Sequence, residues 1–109
     1  MVEYDVQLDA IFLSLADATR RDMLRLLKVY ESLSIGEIAA HYRLTFAGVS
    51  KHLRVLESAR LIVKKRKGQH RIVRLSPVAF RSADEYLRNY EVIWNKHFDQ
   101  LDKFLKEEI

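Results

Sequence analysis

The stretch "TFAGVSKHLRVLESARLIVKKRKGQHRIVRL", Thr45–Leu75, opens as an amphipathic helix and closes as a block of basic and β-branched residues. Val49, Leu53 and Leu56 recur at spacings of four and three and form one apolar helical face; Ala47, Lys51, Arg54 and Ser58 lie opposite. Thr45 offers a hydroxyl at the N-cap position. "LIVKKRK" and "RIVRLS" flank "GQH", where Gly68 can take a positive φ, and together read as a β-hairpin.

Immediately upstream, Ser34 and Glu37 have the spacing of a capping box, and Ile35, Ile38, Ala39 and Tyr42 supply the buried stripe of a short helix. That helix runs over about 34–42 and the next over about 46–59, a separation of about three residues that fits a helix-turn-helix. A hairpin over about 61–75 following such a unit makes a winged helix. Towards the N-terminus, Leu8, Ile11, Phe12 and Leu15 place a helix at about 5–16. Met23, Leu26, Leu27 and Tyr30 place another at about 18–31, capped by Asp17 and carrying Arg20 and Arg21 in its first turn.

Pro77 is a good helix-start residue, and no Gly or Pro follows it, so a last helix is predicted over about 78–107, on the order of 45 Å long. Along it Phe80, Ala83, Leu87, Tyr90, Trp94, His97, Leu101 and Phe104 alternate at three and four, and Tyr86, Ile93, Phe98 and Leu105 widen the stripe. A small domain cannot cover a stripe of that length. A homodimer is therefore expected, with Leu87, Tyr90, Trp94, His97 and Leu101 in its interface and Leu8, Ile11 and Phe12 of the first helix joining them.

The 109 residues, 49% of them hydrophobic, suffice for one domain spanning 1–109, mainly α with a small β-hairpin. The chain has no cysteine, which excludes disulfides and thiolate metal sites. "MVEYDVQLDAIF" lacks a basic leader pattern, and no run approaches the roughly 20 apolar residues of a membrane span; a soluble, cytoplasmic protein is expected.

Net charge is only +4, but it is unevenly placed. From Ser58 to Ala83 there is no Asp or Glu, while Arg60, Lys64, Lys65, Arg66, Lys67, Arg71, Arg74 and Arg81 supply eight positive charges. From Asp84 to Ile109 seven acidic residues outnumber four basic ones. A hairpin rich in Lys can simply be an edge strand protected against aggregation. Here the basic run continues from a helix exposing Lys51 and Arg54, which favours a polyanion, and nucleic acid in particular.

Enzymatic readings find no support. Ser50, His52 and Glu57 include nucleophile, base and acid types, but they crowd one helix with no oxyanion loop, and Gly36, Gly48 and Gly68 are too scattered for a phosphate loop.

"LADATRRDMLRLL", "LSIGEIAAHYRLTFAGVSKHLRVLESARLI", the basic wing and "RLSP" together resemble the ArsR family of bacterial and archaeal winged-helix repressors, over about Leu8 to Glu107. The resemblance implies that the start of the recognition helix enters the major groove, that the wing follows the backbone or minor groove, and that the terminal helices dimerise. It places Thr45, Phe46, Ala47, Gly48, Ser50, Lys51 and His52 at DNA-facing positions. Arg54 and the wing residues Lys64, Lys65, Arg66, Lys67, Gln69, His70 and Arg71 complete the candidate surface.

The departures from the family pattern matter as much. Phe46 stands where a polar residue such as Gln is frequent and Gly48 where Thr or Ser is usual, so two side chains that could read base edges are missing. Phe46 either contacts a thymine methyl or packs in the turn. Arg60 replaces a common Gly near the helix end. Many members of the family sense metals, yet Ser34 and Gly36 occupy the positions of the usual cysteines. On the last helix only Asp84 and His97 of Asp84, Tyr86, His97 and Gln100 are competent zinc ligands, so neither metal nor cofactor is expected.

The reading is a homodimeric, sequence-specific DNA-binding transcriptional regulator, a repressor at a palindromic operator. The alternative is a winged helix used as a docking module for an acidic protein. A small-molecule effector bound between the long helices, near Tyr86, Tyr90 and Trp94, is compatible with the first.

Overall fold

The structure is a computed structural model and describes residues 5–107. Helix α1 spans Val6–Leu15, α2 Ala18–Tyr30, strand β1 Ser32–Ser34, α3 Ile35–Ala39, α4 Phe46–Ser58, β2 Ile62–Lys67, β3 His70–Leu75 and α5 Pro77–Lys106. Each helix starts on a side-chain oxygen that accepts an otherwise unpaired backbone N–H: Asp5, Asp17, Ser34, Thr45 and Ser76 in turn. At Ser34 the cap is reciprocal, since Glu37 Oε1 accepts from Ser34 N at 2.8 Å while Ser34 Oγ accepts from Glu37 N at 3.1 Å.

The strands form one antiparallel sheet in the order β1-β3-β2. β1 was not foreseen: Ser32-Leu33-Ser34 is too short for alternation to show, and it exists because Leu33 pairs with Val73 across the sheet and both side chains are buried. The core joins Ile11 of α1, Met23 and Leu27 of α2, Ile38 of α3, Val49, Leu53 and Leu56 of α4, Leu61 and Ile62 at the entry to the wing, and Val73 of β3. Ile11, expected in a dimer interface, is fully buried in this core and offers no surface to a second chain.

α3 stops at Ala39, three residues before the expected end at Tyr42. The backbone tightens there, with His41 N–H bonded to Ile38 O and Tyr42 N–H to Ala39 O. The Tyr42 hydroxyl donates instead to Asp22 Oδ2 of α2 at 2.7 Å, pinning the turn between α3 and α4 to the body. Partial burial and the Asp22 carboxylate both raise the phenol above its ordinary value of 10.

α4 ends in a tight reversal. Leu61 N–H reaches Leu56 O at 3.0 Å and Arg60 N–H reaches Glu57 O at 2.9 Å, with Arg60 at φ 62°. That is a Schellman motif, built on arginine in place of glycine. The molecule measures 64 × 30 × 25 Å, elongated as a helix of 30 residues and about 45 Å requires.

Candidate nucleic-acid interface

α4 sits on the core through Val49, Leu53 and Leu56, all fully buried, so its opposite face is turned to solvent. Ala47, Lys51, Arg54 and Ser58 are exposed there, as their spacing predicts. Ser50 and His52 are only partly exposed, on the two flanks of that face. α1 is held against the end of α4 by Gln7, whose Nε2 donates to Ala59 O at 2.7 Å.

Thr45 and Gly48 form one local device. The Thr45 Oγ1 accepts from Gly48 N at 3.0 Å, so one of its two lone pairs is engaged by the helix start. A Cβ at position 48 would come within 3.2 Å of that same oxygen. A shift of a few tenths of an ångström in the Thr45 side chain would relieve that contact, as at the equivalent Ser34 cap, where the N3 residue Glu37 carries a side chain. Phe46 does not pack in the turn: its side chain is 60% exposed at the first turn of α4.

In the wing, cross-strand register sorts the cations by face. Ile62 pairs with Leu75, Lys64 with Val73 and Arg66 with Arg71 on the side facing α4; Lys65 pairs with Ile72 and Lys67 with His70 on the other. Lys65, Arg66, Lys67, Gln69, His70 and Arg71 are exposed around the tip, where Gly68 takes φ 63°. Arg66 Nε donates back to Gly68 O at 3.3 Å.

Lys64 is different. Its side chain is 11% exposed and its ammonium lies 3.2 Å from Glu57 Oε1 of α4. It fastens the wing to the recognition helix and is withdrawn from the outward-facing set to which the sequence reading assigned it. Period-2 alternation from buried Ile62 was the signal that could have separated it from Lys65.

Two further arginines also serve the fold. Arg20 Nε and Nη2 donate to Ser14 O and Leu13 O at 2.9 and 3.1 Å, and Arg21 Nη1 donates to Leu15 O at 2.7 Å. They cap the C-terminus of α1, where positive charge complements the helix dipole. Asp17, the cap of α2, is held below its ordinary value of 3.8, chiefly by the Arg20 backbone N–H.

On α5, Leu87, Tyr90, Trp94, His97 and Leu101 are exposed, Phe12 of α1 is at the margin of exposure and Leu8 is half-buried. Phe12, Tyr86 and Tyr90 stack edge to face, with centroids 5.8 and 5.6 Å apart. Of the three aromatic residues expected around an effector pocket, Trp94 instead lines an open groove of 650 Å³ farther along the helix, with Phe98, Leu101 and Phe104. Asp84 pairs with Arg88 Nε at 2.8 Å. Among the described residues no three His, Cys, Asp or Glu side chains gather as a metal would require, and no helix is long and apolar enough to cross a membrane.

A helix-turn-helix braced by a three-helix body and followed by a basic hairpin defines a winged-helix DNA-binding protein. Residues 15–65 match the family described as a helix-turn-helix domain. The chain is 31% identical over 80 residues to the transcriptional repressor SdpR of Bacillus subtilis, covering 73% of this chain and 88% of that one. The crystal structure of the ArsR-family transcriptional regulator RHA00566 superposes with a TM-score of 0.77 at 27% identity, covering 87% of this chain and 97% of that one. The homodimeric winged helix-turn-helix domain Mb0332 of Mycobacterium bovis shares the fold with a TM-score of 0.61 at 20% identity, over 90% and 94% of the two chains. The chain belongs to the ArsR family of winged helix-turn-helix transcriptional regulators.

Proposed function

We propose that two copies of the chain pair through α5 and the exposed edge of α1 and place their α4 helices and wings on a palindromic operator, repressing transcription by occupying promoter DNA. The observation that carries this reading is the set of exposed cations, Lys51 and Arg54 on α4 with Arg66 and Arg71 on the wing face toward that helix and Lys65 and Lys67 on the other. On α4, Lys51 and Arg54 have the reach and chemistry to pair with guanine O6 and N7 or with phosphate, and the wing cations suit the backbone. The repressor SdpR and the homodimeric Mb0332 domain support the biological role and the assembly by likeness.

Binding of duplexes selected from a random pool tests it. With about six to ten phosphate contacts per dimer, affinity falls roughly 10³- to 10⁵-fold between about 50 and 200 mM salt. Lys51→Ala combined with Arg54→Ala weakens binding roughly 100-fold or more, since both half-sites lose two contacts. Duplex binding that ignores both salt and this double substitution points instead to an acidic protein as the partner of the cationic face.

A further inference from the structure

Resting on that reading of α4, we infer that the start of the recognition helix reads thymine by its 5-methyl group, with Phe46 as the reading side chain and Ala47 beside it. A lone exposed apolar side chain is ordinary on a protein surface, so the 60% exposure of Phe46 counts through its place, at the start of the recognition helix and beside the wing. The core of α4 is complete without it, because Val49, Leu53 and Leu56 already seal that face. Phe46 borders a hollow of 350 Å³ that it lines together with Ser34, Ile35 and Gly36 at the β1–α3 junction and Gln69, His70 and Arg71 of the wing. It therefore lies at the start of the recognition helix, across a hollow from the wing. Ala47, the next residue, is exposed as well.

The polar alternatives at this end of the helix are reduced. Thr45 has its hydroxyl held at the cap by Gly48 N–H, and position 48 has no side chain. Among the groups that bases present in the major groove, the thymine methyl is the one an apolar side chain recognises by contact, and Ala and Phe are both suited to it. The first turn of α4 thus selects by methyl contact, and hydrogen-bonded readout begins one turn later, at Ser50 and Lys51.

The test uses the full chain and duplexes selected from a random pool. Each enriched thymine is replaced singly by deoxyuridine, which keeps the base pair and the O4 acceptor and removes only the methyl. One or two positions per half-site are expected to lose about fourfold in affinity each, and changing both half-sites together about fifteenfold. Phe46→Ala, whose side chain ends at Cβ and falls short of the base the ring reaches, should bind thymine and uracil duplexes equally at that position, with an unchanged salt slope because no charge is lost. Phe46→Leu should keep the discrimination. Selected half-sites without thymine, a wild-type protein indifferent to every deoxyuridine, or a Phe46→Ala protein that still discriminates would each overturn the inference. Failure to select any duplex overturns the DNA-binding reading together with it; selection followed by indifference to the methyl overturns this inference alone.

Discussion

α4 and the C-terminal half of α5 carry the same kind of sequence pattern, apolar residues at spacings of three and four, and meet opposite fates. Val49, Leu53 and Leu56 of α4 are fully buried, whereas Trp94, Phe98, Leu101 and Phe104 of α5 are between 50% and 71% exposed. Periodicity states that a helix has an apolar side; it is silent on what covers it. For α4 the cover is the same chain, supplied by α1, α2, α3 and the sheet. Among the described residues nothing covers the end of α5. The comparison is the physical basis for assigning the first stripe to folding and the second to association.

The largest expected effect falls on the buried stripe. Leu53→Ala removes a fully buried side chain from the centre of the core and should cost about 2–5 kcal/mol of unfolding free energy. Chemical denaturation followed by circular dichroism measures it. A cost below about 1 kcal/mol would place Leu53 outside the load that holds α4 to the body and undo the contrast with α5.

On the exposed stripe the same kind of change should act on assembly. Trp94→Glu combined with Leu101→Glu puts two charges into the proposed seam and should raise the dimer dissociation constant roughly 100-fold or more. Sedimentation equilibrium reads this directly, and helix content by circular dichroism at high protein concentration should stay close to that of the wild type, because neither side chain contributes to the core. An unchanged mass would mean that the stripe is covered by something other than a second copy.

The same contrast explains what was legible in the sequence. Caps and turn residues are local chemistry, so Ser34 with Glu37, Thr45, and Gly68 at the wing tip were readable at once. β1 was not, because three residues carry no period and the strand owes its existence to Val73, forty residues away in sequence. Ile11 was misplaced because i, i+3, i+4 spacing cannot distinguish a stripe facing its own core from one facing a partner. Lys64 was misplaced because a run of four cations was read as one group, while the pleat sends alternate members to opposite faces and Glu57 was waiting on one of them. At the candidate site the charge of the surface was visible in composition. The exposure of Phe46 was not, because an aromatic residue beside a helix cap serves equally well as packing or as contact surface.

The smallest expected effect concerns how α4 stops after 13 residues where α5 runs on for 30. At Arg60 the chain takes φ 62° and turns back, so that Leu61 enters the core and the wing can begin. A non-glycine residue in that region costs about 1 kcal/mol or somewhat more, which glycine avoids. Arg60→Gly should therefore raise stability by about 1 kcal/mol, visible as a rise of about 4 °C in Tm. The substitution also deletes a positive charge, so Arg60→Lys serves as the control: it keeps the charge and the strained backbone and should leave Tm unchanged. A gain with glycine and none with lysine assigns the effect to backbone conformation. Loss of stability with glycine would instead mean that the Arg60 side chain itself holds the reversal, and that the end of α4 is fixed by contacts as well as by its hydrogen bonds.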